Sequence, residues 1–276
     1  MLLFGLSVFV LFCLSAWAAP GNNTEEAGSP FLHFLTRYGR RYSPGSLEFQ
    51  KREHFFQESI RRHEYLNSPV LAPYENNSAI YGINRFSDLS PEEFKAIYLQ
   101  SKAVELPKYV TTSAKEAILP ARFDWRDKNL VTPVRNQLST RVKLVRASEY
   151  EFKAQTGICH YFPSSDFGVS IRDYKAYNFS DIEEEMMTQL INLGPLAATV
   201  DAVSWQDYLG GIIQYHCSSG EANHAVLITG FDRTGDIPYW IVKNSWGSTW
   251  GIDGYVHIKI GQNVCGIADT VSAARV

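Results

Sequence analysis

Between residues 30 and 66 the apolar positions recur with a helical period. Phe31, Phe34, Leu35 and Tyr38 form one stripe and Phe49, Phe56 and Ile60 suggest a second, with Ser43-Pro44-Gly45 breaking the chain between them. The pattern predicts two helices that meet at a turn. From 68 to 90 it loosens into loop and short strand. Ser90-Pro91-Glu92-Glu93-Phe94 then supplies a cap residue, a proline at the first helical position and early acids, which together mark a helix start. Residues 101–118, SKAVELPKYVTTSAKEAI, carry no period and read as a linker.

The texture changes from residue 119 onward. Trp, Tyr, Gly and short apolar runs dominate, and AVLITGF (225–231), YWIVKN (239–244) and GYVHIKI (254–260) read as strands of an antiparallel sheet or barrel. One helix interrupts them, with Ser180 as its expected cap, Glu183 three residues on, a body to Leu193 and a Gly194-Pro195 stop. The fold class is therefore α+β, with a helical front part, a linker and a strand-rich rear part. No internal repeat is visible.

Charge and cysteine usage narrow the function. The net charge is -3, which argues against nucleic acid or an anionic membrane as the main partner. The first 18 residues are almost wholly apolar and uncharged and end in Ala16-Trp17-Ala18, small residues at the positions a signal peptidase reads. Residues 1–18 are expected to be a cleaved secretory signal, with a signal anchor as the alternative; no later window holds 18 consecutive apolar residues, so the mature chain is expected to be soluble. Asn22, Asn76 and Asn178 each begin an N-glycan acceptor pattern. Loss of Cys13 with the signal leaves Cys159, Cys217 and Cys265, an odd number, so one thiol lacks an intramolecular partner.

His224 opens one strand-like run and Asn244 ends another. An imidazole acts as a general base only when its other nitrogen is held, and a buried side-chain amide can hold it without adding charge. Trp246 and Trp250 are placed to shield such a hydrogen bond from water. A single histidine at a strand end is more often a packed or surface residue than a catalyst, but its neighbours favour the catalytic reading.

Those neighbours, NHAV, KNSWGSTWG and NVCGIAD, together with RFDWRD and TPVRNQ, resemble the papain family of cysteine proteases. In the front part Glu48, Arg52, Phe56 and Asn67 fall at the spacing of that family's inhibitory prosegment helix, with Ser59 and His63 replacing its usual Asn and Ile. Gly82, Asn84, Phe86 and Asp88 match the prosegment motif G-x-N-x-F-x-D. The resemblance covers roughly residues 30–276. It implies a propeptide over 19–118, a peptidase domain over 119–276, peptide or protein substrates, and a lysosomal destination through the secretory pathway. It makes His224 and Asn244 the base and its orienting partner, and Gln137 a donor to the oxyanion hole. Asn223 would offer its backbone carbonyl to substrate, Trp246 would cover the His–Asn pair, and Cys217 and Cys265 would form a disulfide. Neither a metal nor an organic cofactor is indicated.

The resemblance fails at one place. The family nucleophile lies six residues after the glutamine, which here is Lys143, and no C-G-x-C-W string occurs in the chain. From position 143 to His224 is 81 residues, where such enzymes have about 130–150 between nucleophile and base. Roughly 50–70 residues of a helical left lobe are therefore expected to be absent, leaving the strand-rich right lobe. Cys159 matches a half-cystine whose partner belongs in the missing segment; as a replacement nucleophile it has nothing resembling a helix N-terminus nearby. Ser139 and Thr140 lack a scaffold to meet His224. Two readings follow: a papain-type endopeptidase zymogen, or an inactive variant whose prosegment binds and inhibits the full-length protease. Failure to fold, with retention in the endoplasmic reticulum, is the expected hazard of the second.

Overall fold

A computed structural model of the protein describes residues 29–69, 78–99, 106–111, 118–134 and 171–275, without 216, 218 and 219. The expected signal, Asn22, Asn76, Gln137, the junction 138–143 and Cys159 lie outside the described residues. The chain divides into two compact units at Arg41/Tyr42. In the first, α1 (Pro30–Tyr38) has Pro30 in its first turn, buries Phe31, Phe34 and Leu35, and stops where Gly39 takes a left-handed conformation. That is the stripe the periodicity predicts.

In the second unit, α2 (Leu47–Leu66) starts at Ser46, whose hydroxyl accepts the Phe49 amide hydrogen bond. Its buried face is Phe56, Ser59 and His63 rather than Phe49, Phe56 and Ile60. The apolar period mislocates this face because two of its three buried positions are polar. The strand β1 (Ile80–Tyr81) follows, and then α3 (Pro91–Tyr98), whose Ser90 and Glu93 form a reciprocal capping box. Arg52 joins the two helices, pairing with Glu48 at 2.6 Å and with Glu93 while donating to the Asp88 carbonyl at 3.0 Å.

The rest of the unit is built on β2 (Arg122–Asp124), β3 (Asp173–Tyr177), α4 (Glu183–Leu193), β4 (Leu196–Val200), β5 (Tyr208–Gly210), β6 (Ile212–Ile213), β7 (His224–Asp232), β8 (Tyr239–Lys243), β9 (Tyr255–Lys259) and β10 (Val271–Arg275). An eight-stranded sheet runs β3-β10-β4-β7-β8-β9-β6, with β2 also on β7, and every pairing is antiparallel except β6 with β9. The long strand β7 serves two partners along one edge. Its first half, 224–228, pairs with β4, and its second, 230–232, with β2. A register shift between Ile228 and Gly230 lies where the partners change. There β2 approaches so closely that a Cβ on Gly230 would meet the Phe123 carbonyl oxygen at 2.4 Å. Gly230→Ala is expected to destabilise the chain by about 1–3 kcal/mol, read as a lower denaturant midpoint with unchanged slope.

Three expectations are revised. Helix α4 begins at Glu183 with Ile182 at its cap position, and Ser180 does not cap it. The Ser180 amide and hydroxyl instead donate to Asn178 Oδ1, at 3.1 and 2.6 Å, closing a local turn that competes with capping. Glu183 is buried, its carboxylate accepting from Trp240 Nε1 at 2.9 Å and from the Gly261 and Asn263 amides at 3.1 and 2.8 Å. Part of the expected linker is docked: Tyr109 bridges to Ala176 on β3, and its hydroxyl lies 2.8 Å from Thr270 Oγ1. The third revision is the polar face of α2. The core beneath the sheet holds Trp205, Trp240, Trp246, Trp250 and Tyr208, all inaccessible to solvent, with Met186 and Leu190 of α4 among them. No helix among the described residues is long and apolar enough to cross a membrane.

Candidate active site

His224 is the first residue of β7, and Asn244 follows the last residue of β8, its antiparallel neighbour. Their side chains meet, with His224 Nε2 2.8 Å from Asn244 Oδ1. The same oxygen accepts the Ser245 amide at 2.8 Å, which fixes it as the carbonyl end of the side-chain amide. An oxygen can only accept, so Nε2 carries the proton in the neutral ring and Nδ1 holds the lone pair. That is the tautomer a general base acting through Nδ1 requires.

Aromatic rings seal the pair. Trp246 lies 4.8 Å from the His224 ring, centroid to centroid, and Trp250 packs 4.7 Å from Trp246. Trp205 packs edge-to-face with both His224 and Trp246, its ring 6.3 Å from the first and 6.2 Å from the second. On its outer side Trp246 meets Phe86, Phe94 and Tyr98 at 5.9, 5.2 and 6.1 Å. The cover over the histidine is thus itself covered by α3 and the segment before it. Burial pushes the His224 pKa down to about 4, only partly opposed by the bond to Asn244.

Asn223 precedes the histidine and uses its side chain structurally. Its Nδ2 donates to Asp201 Oδ1 at 2.7 Å, and its Oδ1 accepts the Ala202 amide at 3.0 Å. This clasp ties the entrance of β7 to the exit of β4. Asp201 was not singled out from the sequence, where an aspartate after a strand carries no distinguishing signal. Cys217 and Cys265 are joined in a disulfide, with Cα atoms 5.0 Å apart. Asn178 is exposed.

The prosegment motif residues each meet the rear part of the unit or brace the segment that does. Gly82 runs beneath Leu209, whose Cδ1 would lie 2.7 Å from a Cβ there, and donates its amide to the Asp207 carbonyl at 2.9 Å. Asn84 donates through Nδ2 to the Gln206 carbonyl at 2.7 Å. Asp88 accepts the Tyr42 hydroxyl at 2.6 Å. Asn67 exchanges hydrogen bonds of 2.7 and 3.0 Å with the Tyr81 backbone.

A strand-borne histidine held by an asparagine lies here beneath a tryptophan and a helical front segment, and the chain belongs to the papain family of cysteine proteases. Residues 138–275 match the family described as papain family cysteine protease, and residues 31–94 match the cathepsin propeptide inhibitor domain (I29). The chain is 53% identical to Cathepsin O of Homo sapiens, in an alignment spanning 79% of this chain and 86% of that protein. With Cathepsin O of Mus musculus the identity is 48%, over 84% of this chain and 92% of that protein. Among solved structures, the digestive procathepsin L2 proteinase of Tenebrio molitor larval midgut superposes with a TM-score of 0.74 at 26% identity, covering 89% of this chain and 98% of that one. The fold is papain-like α+β, with propeptide helices and the sheet of the right lobe.

Proposed function

We propose that this chain is a cathepsin O-like proform that has lost the nucleophile of its peptidase and acts through its prosegment. The observation that carries this reading is the absence of any cysteine between Cys13 and Cys159, where the nucleophile would follow Gln137. His224 and Asn244 then orient a base with no thiol at the family position to activate. Alignment lengths support the reading. The 277 positions aligned with human Cathepsin O draw on 79% of 276 residues, about 218, so roughly 59 positions face no residue of this chain, close to the shortfall read from the nucleophile–base spacing.

Residues 1–18 serve as the signal, 19–118 as the propeptide and 119–276 as the truncated peptidase domain. The route is the secretory pathway to the lysosome, with glycans at Asn22, Asn76 and Asn178, and retention in the endoplasmic reticulum where the domain misfolds. In a full-length relative Gln137, His224 and Asn244 would serve catalysis, with Asn223 and Trp246 bordering the substrate. The prosegment binds its own domain in cis and a full-length protease in trans. Adding the purified chain to mature Cathepsin O is expected to inhibit peptide hydrolysis in a concentration-dependent, saturable manner. Unchanged hydrolysis at a large molar excess would remove the trans role.

A further inference from the structure

Helix α2 carries a cluster that the family motif does not account for. Asp207, 1% exposed, ends the 3-10 turn Val203–Asp207 that leads directly into β5. Three residues of one helix converge on the Asp207 carboxylate. Arg62 engages both oxygens, through Nε on Oδ2 and Nη2 on Oδ1 at 3.0 Å. His63 Nε2 lies 3.1 Å from Oδ1, and Ser59 Oγ donates to Oδ1 at 3.2 Å while contacting His63 Nε2 at 2.9 Å. Ser59 and His63 are themselves buried. They are the two positions at which this prosegment departs from the residues usual in its family.

The receiving strip is continuous. Gln206 donates to the Phe86 and Leu89 carbonyls at 3.2 and 3.1 Å, and β5 pairs with β1. These neighbouring contacts run mostly through backbone groups that many prosegments could supply. Asp207 is different, because a buried carboxylate is tolerated only when cationic and hydroxyl donors surround it. A helix without such donors leaves it desolvated and uncompensated. An apolar surface would accept many helices, whereas a buried charge rejects every helix that fails to match it.

We infer that Asp207 is the point at which the peptidase domain selects its prosegment, and that the partner this surface fits is a helix presenting Ser, Arg and His at the relative positions of Ser59, Arg62 and His63. The inference rests on residues 19–118 acting as a prosegment. It extends that reading by naming what the prosegment recognises.

The test uses the full chain and hydrogen exchange of α2 amides, with β7 and β8 amides as the reference for an intact domain. Asp207→Asn and Arg62→Ala are each expected to raise α2 opening about 30-fold. The double variant should show much less than the product of the two effects, since both remove one interaction. Restoring the family's usual residues with Ser59→Asn/His63→Ile should raise α2 opening about tenfold, with β7 and β8 unmoved. Undisturbed α2 protection in Asp207→Asn, or full protection in Ser59→Asn/His63→Ile, would overturn the selection role. Inhibition in trans is read separately by peptide hydrolysis. If α2 exchange responds while inhibition is absent, selection at Asp207 stands and the trans role falls; the opposite pattern removes selection at Asp207 alone.

Discussion

Incubated at acid pH with a fluorogenic peptide, the purified chain is expected to turn over at least about 10⁴-fold more slowly than a full-length relative. A papain-type cut requires a thiolate to attack the peptide carbonyl, the imidazolium to protonate the departing amine, and water to release the acyl group. The second and third steps cannot begin without the first. The hydrogen bond from His224 to Asn244 does not compensate, because the parts of such a unit act together rather than additively. A thiol-directed epoxide should accordingly leave no adduct that tracks with hydrolysis. Labelling of Cys159 in proportion to peptide cleavage would sink this expectation. Grafting the corresponding human Cathepsin O segment after Gln137 supplies the positive arm, with both labelling and turnover expected to appear.

The second large effect is on stability. Burial holds His224 at about 4 in the folded chain, against about 6.5 for an unperturbed histidine. The unfolded chain therefore takes up the proton first as pH falls, so the folded state is at its most stable above about 6.5 and loses stability between there and about 4. At about 1.4 kcal/mol per pH unit the whole loss is about 3 kcal/mol, of which about 2 is spent by pH 5. His257, lowered to about 4 mainly by burial, works in the same direction. In a full-length relative a thiolate would favour the imidazolium and offset this cost. His224→Gln keeps a donor for Asn244 but cannot titrate, so its unfolding free energy should fall about 2 kcal/mol less between pH 7 and pH 5. Parallel curves for the two proteins, or an imidazole titrating near its ordinary value, would contradict the assignment.

Much of this was legible in the sequence, and what was not has identifiable causes. The meeting of His224, Asn244 and Trp246 was legible because His224 opens one apolar run and Asn244 closes the next, which places them side by side once β7 and β8 pair. The α3 start was legible because Ser90, Pro91 and Glu93 act locally. Ser180 misled for the converse reason: its hydroxyl had an equally local competitor in Asn178. The α2 face escaped because Ser59 and His63 are buried by an aspartate 148 residues away from Ser59, and no local period encodes a distant carboxylate. The Phe86, Phe94 and Tyr98 cover on Trp246 was hidden in the same way, its members being divided between the prosegment and the rear part of the chain.

The docking of Tyr109 bears on what any processing event would leave behind. Strand β3 has β10 on one side and the Tyr109 segment on the other, where the Val110 amide donates to the Ala176 carbonyl at 2.9 Å. Scission upstream of Tyr109 would leave a short N-terminal tail still laid along β3. Scission between Val110 and Leu119 would strip that tail away and bare a row of backbone donors and acceptors, an edge at which another extended chain could add.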